Sequence, residues 1–258
     1  MEHTPRFTLD KLYDRPSRPA AFRFDARVAD AFPDMIARSV PGYEFNLELV
    51  AALAQRYVQD HSCVYDLGCS LGAMTLSMRS ALAQQPSPPD DVQFIGVDAS
   101  TPMIERAQGC LHKLKSDYQT RLICADLLDI SLTNASMVVL GYTLQFIQPE
   151  QRVTVIQRIY QGLNPGGVLV LAEKLAEPDP ASEQLLVELH HDFKRANGYS
   201  ELEIAQKRQA LENVLVCDSE AQHRSRLAAA GFSPIVLLSK HYQFALFLAQ
   251  KPTETNRP

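Results

Sequence analysis

The chain has 258 residues, 46% of them hydrophobic, and a formal net charge of −5 at pH 7. These values predict one α/β domain with an elaboration, or at most two small domains, around a sizeable core. An acidic balance without a basic run argues against direct contact with nucleic acid. No apolar run approaches the ~20 residues of a membrane-spanning helix, and no basic segment followed by an apolar one opens the chain. We therefore expect a cytoplasmic protein that binds neither membrane nor nucleic acid.

The five cysteines show no metal-binding spacing such as C-x-x-C, and most lie in apolar surroundings. The adjacent pair His190-His191 lacks the spacing of metal ligands as well. We therefore expect reduced thiols and no bound metal.

The N-terminal part carries helix patterns before any strand pattern. Residues 1–21 hold three prolines among scattered charges, which predicts a flexible arm. Residues 22–32 have the pattern of a helix-like piece, and residues 45–58 that of a stronger amphipathic helix, with a Pro-Gly turn between them. The expected organisation is one domain over 22–250 and a short tail at 251–258.

From Cys63 onward, apolar strand candidates alternate with helical stretches, which predicts βαβ units in a doubly wound, mostly parallel α/β sheet. Thr101 is the expected N-cap of the second of these helices because Pro102 suits the first helical position. The strand candidates lie at 63–67, 92–97, 121–125, 136–140 and 168–172. The helices are predicted at 73–84, 102–115 and 149–163, with an Asn-Pro-Gly-Gly turn after the third.

Two segments interrupt this alternation. Residues 181–215 are predicted to be helical, with an Asn-Gly break followed by a capping box at Ser200 and Glu203. The last two strand candidates, 235–239 and 241–249, are joined so tightly that they must pair antiparallel. The sequence therefore predicts a helical insertion and a sheet that ends with an antiparallel strand.

The segment 66–72 carries the strongest chemical signal. An acid ends the first strand candidate, a turn with Gly68 and Gly72 follows, and a helix begins, which is the geometry that brings a ligand to backbone amides. The letters also spell G-x-S-x-G, the serine hydrolase elbow, around Ser70. We disfavour that interpretation because no convincing strands and no glycine-rich oxyanion segment precede it. A nicotinamide fold is disfavoured as well, since the middle glycine of G-x-G-x-x-G is missing.

Four candidate site positions, Asp66, Asp98, Asp126 and Gly141, end successive strand candidates. Ligands of open α/β sheets bind outside the carboxyl ends of the strands. Asp98 lies 26 residues beyond Gly72, close to the ~20-residue offset of an acid that accepts both ribose hydroxyls. Asp126 can accept from an adenine amino group. Each acid could instead cap a turn, but their order at strand ends favours a nucleotide-type cofactor site.

The acid before an abbreviated glycine turn resembles the class I S-adenosylmethionine-dependent methyltransferases. Further motifs narrow the resemblance to one family within them, the bacterial carboxy-S-adenosyl-L-methionine synthases, from about Phe22 to the C-terminus. These motifs are FPDMI at 32–36, RSVPGY at 38–43, VYDLGCSLG at 64–72, NASMVVL at 134–140, TLQF at 143–146, IYQGLNPGG at 159–167 and HHDFKRANGYSELEI at 190–204.

The resemblance implies a Rossmann-like sheet of about seven strands with an antiparallel last strand. It also implies that S-adenosyl-L-methionine is a substrate and carboxy-S-adenosyl-L-methionine the product, with prephenate giving up its carboxyl group and leaving as phenylpyruvate. The sulfonium methyl would form an ylide, and no base for this step stands out in the sequence. The product would serve a separate enzyme that builds 5-oxyacetyl-uridine at the tRNA wobble position. An ordinary small-molecule methyltransferase and a non-catalytic protein that stores the carboxylated cofactor are the alternatives.

The residues and the resemblance together assign contacts with the cofactor to eleven positions. Arg208 is implied to meet the new carboxylate from the partner subunit of a homodimer, since a guanidinium offers two parallel donors. A solvated helix charge paired with Glu212 is the alternative. The assigned residues are Tyr43, Asp66, Gly68, Cys69, Ser70, Asp98, Ala99, Asp126, Leu127, Gly141 and Arg208.

Two positions depart from the family pattern. The family has Asn then Phe where this chain has Gly141-Tyr142, so a side-chain contact near the ligand is lost. Ala99 replaces a polar residue, which a backbone contact would tolerate. For Tyr199 and His191 we favour a place in the dimer interface over a place in the site.

Overall fold

The computed structural model describes residues 8–16, 20–112 and 118–253. Within them one seven-stranded sheet has the order β3-β2-β1-β4-β5-β7-β6. β1 to β5 pair parallel, and β7 pairs antiparallel with both β5 and β6, which confirms the antiparallel ending. The strands are β1 Cys63–Leu67, β2 Gln93–Asp98, β3 Thr120–Cys124, β4 Ala135–Gly141, β5 Leu163–Lys174, β6 Ile235–His241 and β7 Phe244–Gln250.

The central strands are mostly buried because helices cover both faces of the sheet. In β4, every residue from Ala135 to Leu140 is buried, as expected of a parallel strand in a doubly wound fold. The helices are α1 Ala26–Ser39, α2 Tyr43–Tyr57, α3 Ala73–Ala83, α4 Thr101–Leu111, α5 Pro149–Gly162, α6 Pro180–Ala196, α7 Glu201–Leu211 and α8 Glu220–Ala230. No described helix is long and apolar enough to cross a membrane.

The prediction of a helix at residues 22–32 was wrong in both bounds. The helix α1 begins after Asp25, whose side chain accepts a hydrogen bond from the backbone N–H of Val28 and so caps it. It then continues through Pro33 to Ser39. A proline removes one backbone hydrogen bond at a cost of about 3 kcal/mol, and the buried face of α1, which extends beyond the proline to Met35, offsets this loss.

Three further boundaries differ from the sequence predictions. Ser100, not Thr101, caps α4, because its hydroxyl accepts from the N–H of Met103; the expected end of this helix at 115 lies outside the described residues. The Asn-Pro-Gly-Gly turn after α5 is a bulge inside β5, which therefore begins five residues before the predicted 168. No helix was predicted at α8, although a capping box of Ser219 and Gln222 marks its start.

The insertion forms α6 and α7, and the capping box of Ser200 and Glu203 is confirmed. Residues 1–7 and 17–19 of the expected N-terminal arm, and 254–258 of the tail, lie outside the described residues. Between the two masked parts of the arm, Asp10 is 2% exposed. Its backbone N–H donates to Asp34, and its carboxylate accepts from the hydroxyl of Tyr199 next to α7. This part of the arm therefore connects α1 to the insertion.

Candidate active site

A cavity of about 1130 Å³ opens at the carboxyl ends of the strands. Loops after β1, β2, β3 and β4 line one side, and the inserted helices α6 and α7, together with α1, line the other. The sheet therefore supplies half of the cavity and the insertion most of the rest.

The loop after β1 is shaped by residues in left-handed backbone conformation. Gly68 has φ 78°, and a Cβ there would lie 2.2 Å from Oγ1 of Thr143, so no side chain fits. Ser70 also has a positive φ, 49°. Its backbone N–H donates to Oδ2 of Asp98 at 2.9 Å. The loop is thus fastened to the end of β2, with Gly68 and Ser70 both facing the cavity.

Ser70 has none of the partners that a nucleophile needs. No described histidine hydrogen-bonds to its hydroxyl, and it lies on the loop after the first strand of the sheet. A hydrolase serine requires a base within hydrogen-bonding reach. The geometry therefore agrees with a role in a cofactor loop.

Asp66 and Cys69 lie beneath the loop rather than in the cavity wall. One carboxylate oxygen of Asp66 accepts from the N–H and the hydroxyl of Thr75, at 3.1 and 2.7 Å. Burial, and to a lesser degree Asp98, raises the pKa of Asp66 to about 6 despite these bonds. The thiol of Cys69 is buried against Gly96, and burial raises its pKa. Asp66 therefore holds the start of α3, and only the backbone of Cys69 is available to a ligand.

The two other strand-end acids reach the cavity. Asp98 accepts from the N–H of Ser70 and, at 2.8 Å, from the N–H of Ser100, and burial raises its pKa. Asp126 is exposed and caps the short turn that follows by accepting from the N–H of Leu128 at 2.9 Å. Ala99 is exposed, and Leu127 is half-buried; both line the cavity. We call Asp98 and Asp126 the acidic side.

Met74 fills the space beside Gly141 that a side chain at this position would need. A Cβ on Gly141 would come within 2.5 Å of the sulfur of Met74. The next residue, Tyr142, accepts from the side-chain amide of the buried Asn46 at 2.8 Å, and its ring centroid lies 6.3 Å from that of Tyr43 with the ring planes tilted by 40°. Burial, then Asp66 and Tyr142, raises the pKa of the Tyr43 phenol. Tyr43 thus backs the cavity through Tyr142 and does not line it.

Basic side chains line the opposite side. Along α6, Val187, His190, His191 and Lys194 share one face because they are three, four and seven residues apart. Arg208 on α7 lines the same cavity within the same chain and is exposed. No ion pair joins it to Glu212, which follows the end of α7 at Leu211, or to any other described residue. The alternative of a helix-surface pair is therefore not supported.

The sequence analysis missed three cavity-lining lysines: Lys174 at the end of β5, Lys194 on α6 and Lys207 on α7. Burial, then Lys207 and Lys174, lowers the pKa of Lys194 to about 7. The spacing of His190 and Lys194 on one helical face was a signal that could have revealed the second. We call Lys174, His191, Lys194 and Arg208 the cationic wall.

The two histidines of α6 differ. The Nε2–H of His190 donates to the carbonyl of Ser39 at 2.8 Å, and burial lowers its pKa to about 3, so it is a neutral structural residue. His191 is half-buried and makes no hydrogen bond to another described residue. Burial, Lys194 and Arg208 lower its pKa. Within residues 8–16, 20–112 and 118–253, no cluster of potential ligands could hold a metal.

Comparison with known proteins agrees with this geometry. Residues 64–167 match the methyltransferase domain family. Over 248 residues the chain is 48% identical to the carboxy-S-adenosyl-L-methionine synthase of Vibrio vulnificus, covering 96% of this chain and 99% of that one. It is 50% identical over 250 residues to the enzyme of that name from Aeromonas salmonicida, again covering 96% and 99%.

Solved structures show the same fold at low identity. The S-adenosylmethionine-dependent methyltransferase SibL matches with a TM-score of 0.59 at 16% identity over 86% of this chain and 57% of that one. Human N-acetylserotonin methyltransferase matches with a TM-score of 0.57 at 17% identity over 88% and 56%. The fold is thus that of the class I methyltransferases, and the chain is a transferase that belongs to the carboxy-S-adenosyl-L-methionine synthase family.

Proposed function

We propose that the chain converts S-adenosyl-L-methionine and prephenate into carboxy-S-adenosyl-L-methionine and phenylpyruvate. The observation that carries this proposal is Arg208, which has no ion-pair partner among the described residues and lies in the wall of a methyltransferase-type cavity. A neutral methyl group has no use for a guanidinium, whereas a carboxylate accepts two parallel hydrogen bonds from one. The acidic side suits the ribose and adenine groups of both the substrate and the product.

The reaction balances without a further reagent. One C–H bond of the sulfonium methyl group breaks, and a C–C bond to the carboxyl carbon forms. Prephenate loses that carboxyl group and its ring hydroxyl, and its ring becomes aromatic. The hydroxyl and the methyl proton leave as water, so the substrate itself can accept the proton. The residues of this chain then bind and orient the two substrates and exclude water from the cavity. The exclusion of water strengthens every electrostatic contact there.

The experiment is incubation of the chain with S-adenosyl-L-methionine and prephenate labelled with ¹³C in its ring carboxyl group. We expect mass spectrometry to show the cofactor gaining labelled CO2 and phenylpyruvate forming in equal amount. A matched reaction with labelled bicarbonate in place of prephenate should give no product. Methyl transfer to another acceptor, or tight binding without turnover, would contradict the proposal and support one of the two alternatives.

We also propose that the enzyme is a cytoplasmic homodimer whose product serves tRNA wobble-uridine modification by a separate enzyme. In the single chain, Arg208 lines its own cavity, which supports a contact within one chain as the alternative to a contact across the dimer. Mixing Asp98→Ala with Arg208→Leu distinguishes the two arrangements. If Arg208 acts across the dimer, mixed dimers contain one intact site and regain activity; if it acts within its own chain, they stay inactive. A monomer in light scattering would exclude the dimer.

A further inference from the structure

Three members of the cationic wall have side-chain cations without a partner among the described residues. The ammonium groups of Lys174 and Lys194 and the guanidinium of Arg208 make no ion pair or hydrogen bond to any residue that the structure describes. Lys194 is only 8% exposed, and it lines the cavity. A buried ammonium without a partner is costly, because little water remains to solvate its charge. The empty cavity therefore carries uncompensated positive charge, which a bound anion would neutralise.

The neighbouring Lys207 shows that the chain can pair a lysine here. Its ammonium donates to Oγ of Ser39 at 2.9 Å and lies 3.8 Å from a carboxylate oxygen of Asp10. Two glutamates also line this side, but Glu201 is ion-paired with Arg195, and the exposed Glu212 pairs with none of the wall. Among the described residues, Lys207 and Glu201 next to the cationic wall therefore have ion-pair partners, whereas the lysines and the arginine of the wall have none.

The topology separates this wall from the acidic side. Asp98 and Asp126 follow β2 and β3, on one side of β1, whereas Lys174 ends β5, two strands away on the other side. Lys174 stands directly opposite Phe244, whose ring also lines the cavity. A ligand that places its hydroxyl groups at the acidic side leaves the region beside β5 open to a second molecule. The cations of the wall and the neighbouring aromatic ring together suit a ligand in which an anionic group is attached to a planar apolar ring.

We propose that Lys174, His191 and Lys194 bind a carboxylate of the second substrate, leaving Arg208 for the carboxyl group of the product. This inference rests on the proposed function, and it assigns specificity to residues that the sequence motifs do not include. Mutual repulsion between the ammonium groups of Lys174 and Lys194 in the empty site is relieved when a carboxylate enters, so the charge favours substrate over a neutral competitor. His191, whose pKa is lowered by burial and by Lys194 and Arg208, takes part as a neutral imidazole N–H donor.

The test compares Lys194→Met and Lys174→Met with Lys240→Met. Lys240 is the matched control because it lies at the surface, paired with Glu177, and does not line the cavity. For the two wall variants we expect the KM for prephenate to rise about 10- to 100-fold, since charged hydrogen bonds contribute roughly 1.5–3 kcal/mol each. The Kd for S-adenosylhomocysteine, which carries only the amino-acid carboxylate, should change less than about twofold. Lys240→Met should match the wild type in both.

Several outcomes would overturn the assignment. An unchanged KM for prephenate in active Lys194→Met would contradict it, and an equal loss of S-adenosylhomocysteine affinity would show that Lys194 binds the methionine end instead. Failure of the wild type to use prephenate would overturn the proposed function itself, which keeps the two failures distinct. Thermal unfolding excludes misfolding as the cause, because removal of a buried unpaired charge should raise Tm. Lys194→Arg, which keeps the charge, should retain more prephenate affinity than Lys194→Met.

Discussion

The acidic side of the cavity is carried by β2 and β3, whereas β5 and the two inserted helices carry the cationic wall. Both oxygens of Asp98 accept backbone N–H bonds, and Asp126 accepts one from its own turn. The lysines of the wall have no such partners among the described residues. One side is therefore organised before any ligand binds, and the other keeps unsatisfied charge.

This difference indicates that the two sides of the cavity have different functions in ligand binding. A carboxylate held by backbone N–H groups has a fixed position, so it binds hydroxyl groups with little ordering cost. Unpaired cations lower the stability of the empty protein and bind an incoming anion strongly. The acidic side should therefore control affinity for the cofactor in every form, and the cationic wall should distinguish carboxylated from uncarboxylated ligands.

The largest effect is expected from Asp98→Ala. It removes the proposed acceptor for the ribose and also releases the N–H groups of Ser70 and Ser100, so the loop after β1 loses its attachment. We expect affinity for S-adenosylmethionine and for its carboxylated form to fall by the same factor, roughly 100-fold or more. Calorimetry on both ligands measures this, with the exposed Asp126→Ala as a weaker comparison. A selective loss of affinity for one of the two ligands would contradict this assignment of functions to the two sides.

Arg208→Leu should have a smaller and selective effect. Loss of a bidentate guanidinium should weaken the carboxylated cofactor about 10- to 100-fold and S-adenosylmethionine less than about threefold. Arg224→Leu is the control, because Arg224 pairs with Glu220 on the surface helix α8 and does not line the cavity. Equal weakening of both ligands would refute the role of Arg208.

Lys194→Met should stabilise the protein in a pH-dependent way. Burial, Lys207 and Lys174 lower the pKa of Lys194 from its ordinary 10.5 to about 7, and Asp10 opposes them only in part. Between pH 7 and 10.5 the unfolded chain holds a proton that the folded chain releases, so wild-type stability rises with pH across this window. The variant should thus exceed the wild type by on the order of 2 kcal/mol below pH 7. Urea unfolding at pH 6 and pH 10 tests this, and a pH-independent difference would contradict it.

The smallest effect is expected where the two sides meet, at Gly141. Gly141→Asn must displace the sulfur of Met74, which lies 2.5 Å from the new Cβ. Because a methionine tail adapts, we expect a loss of only about 1 kcal/mol in unfolding free energy. Gly141→Asn combined with Met74→Ala should relieve the clash and tighten cofactor binding relative to Gly141→Asn alone. An unchanged stability in the single variant would show that Met74 moves freely.

The strands were predictable because strands buried on both faces are mostly apolar, and their turns carry glycine and proline. The parallel pairing, the antiparallel ending and the capping box of α7 follow from such local patterns. The course of α1 was not predictable in this way. Its passage through Pro33 depends on a buried face that only tertiary packing provides, and Asp25 rather than an aromatic residue sets its start.

The residues of the candidate site likewise differ in whether the sequence could predict their positions. The sequence by itself determined the loop from Asp66 to Gly72 and the acids Asp98 and Asp126, because each follows its own strand and strand ends converge by topology. Only the tertiary structure decided that Asp66 and Cys69 lie beneath the loop, that Met74 occupies the space beside Gly141, and that Lys174 and Lys194 line one cavity. These contacts join residues far apart in the chain, whose distances depend on how helices pack over the sheet.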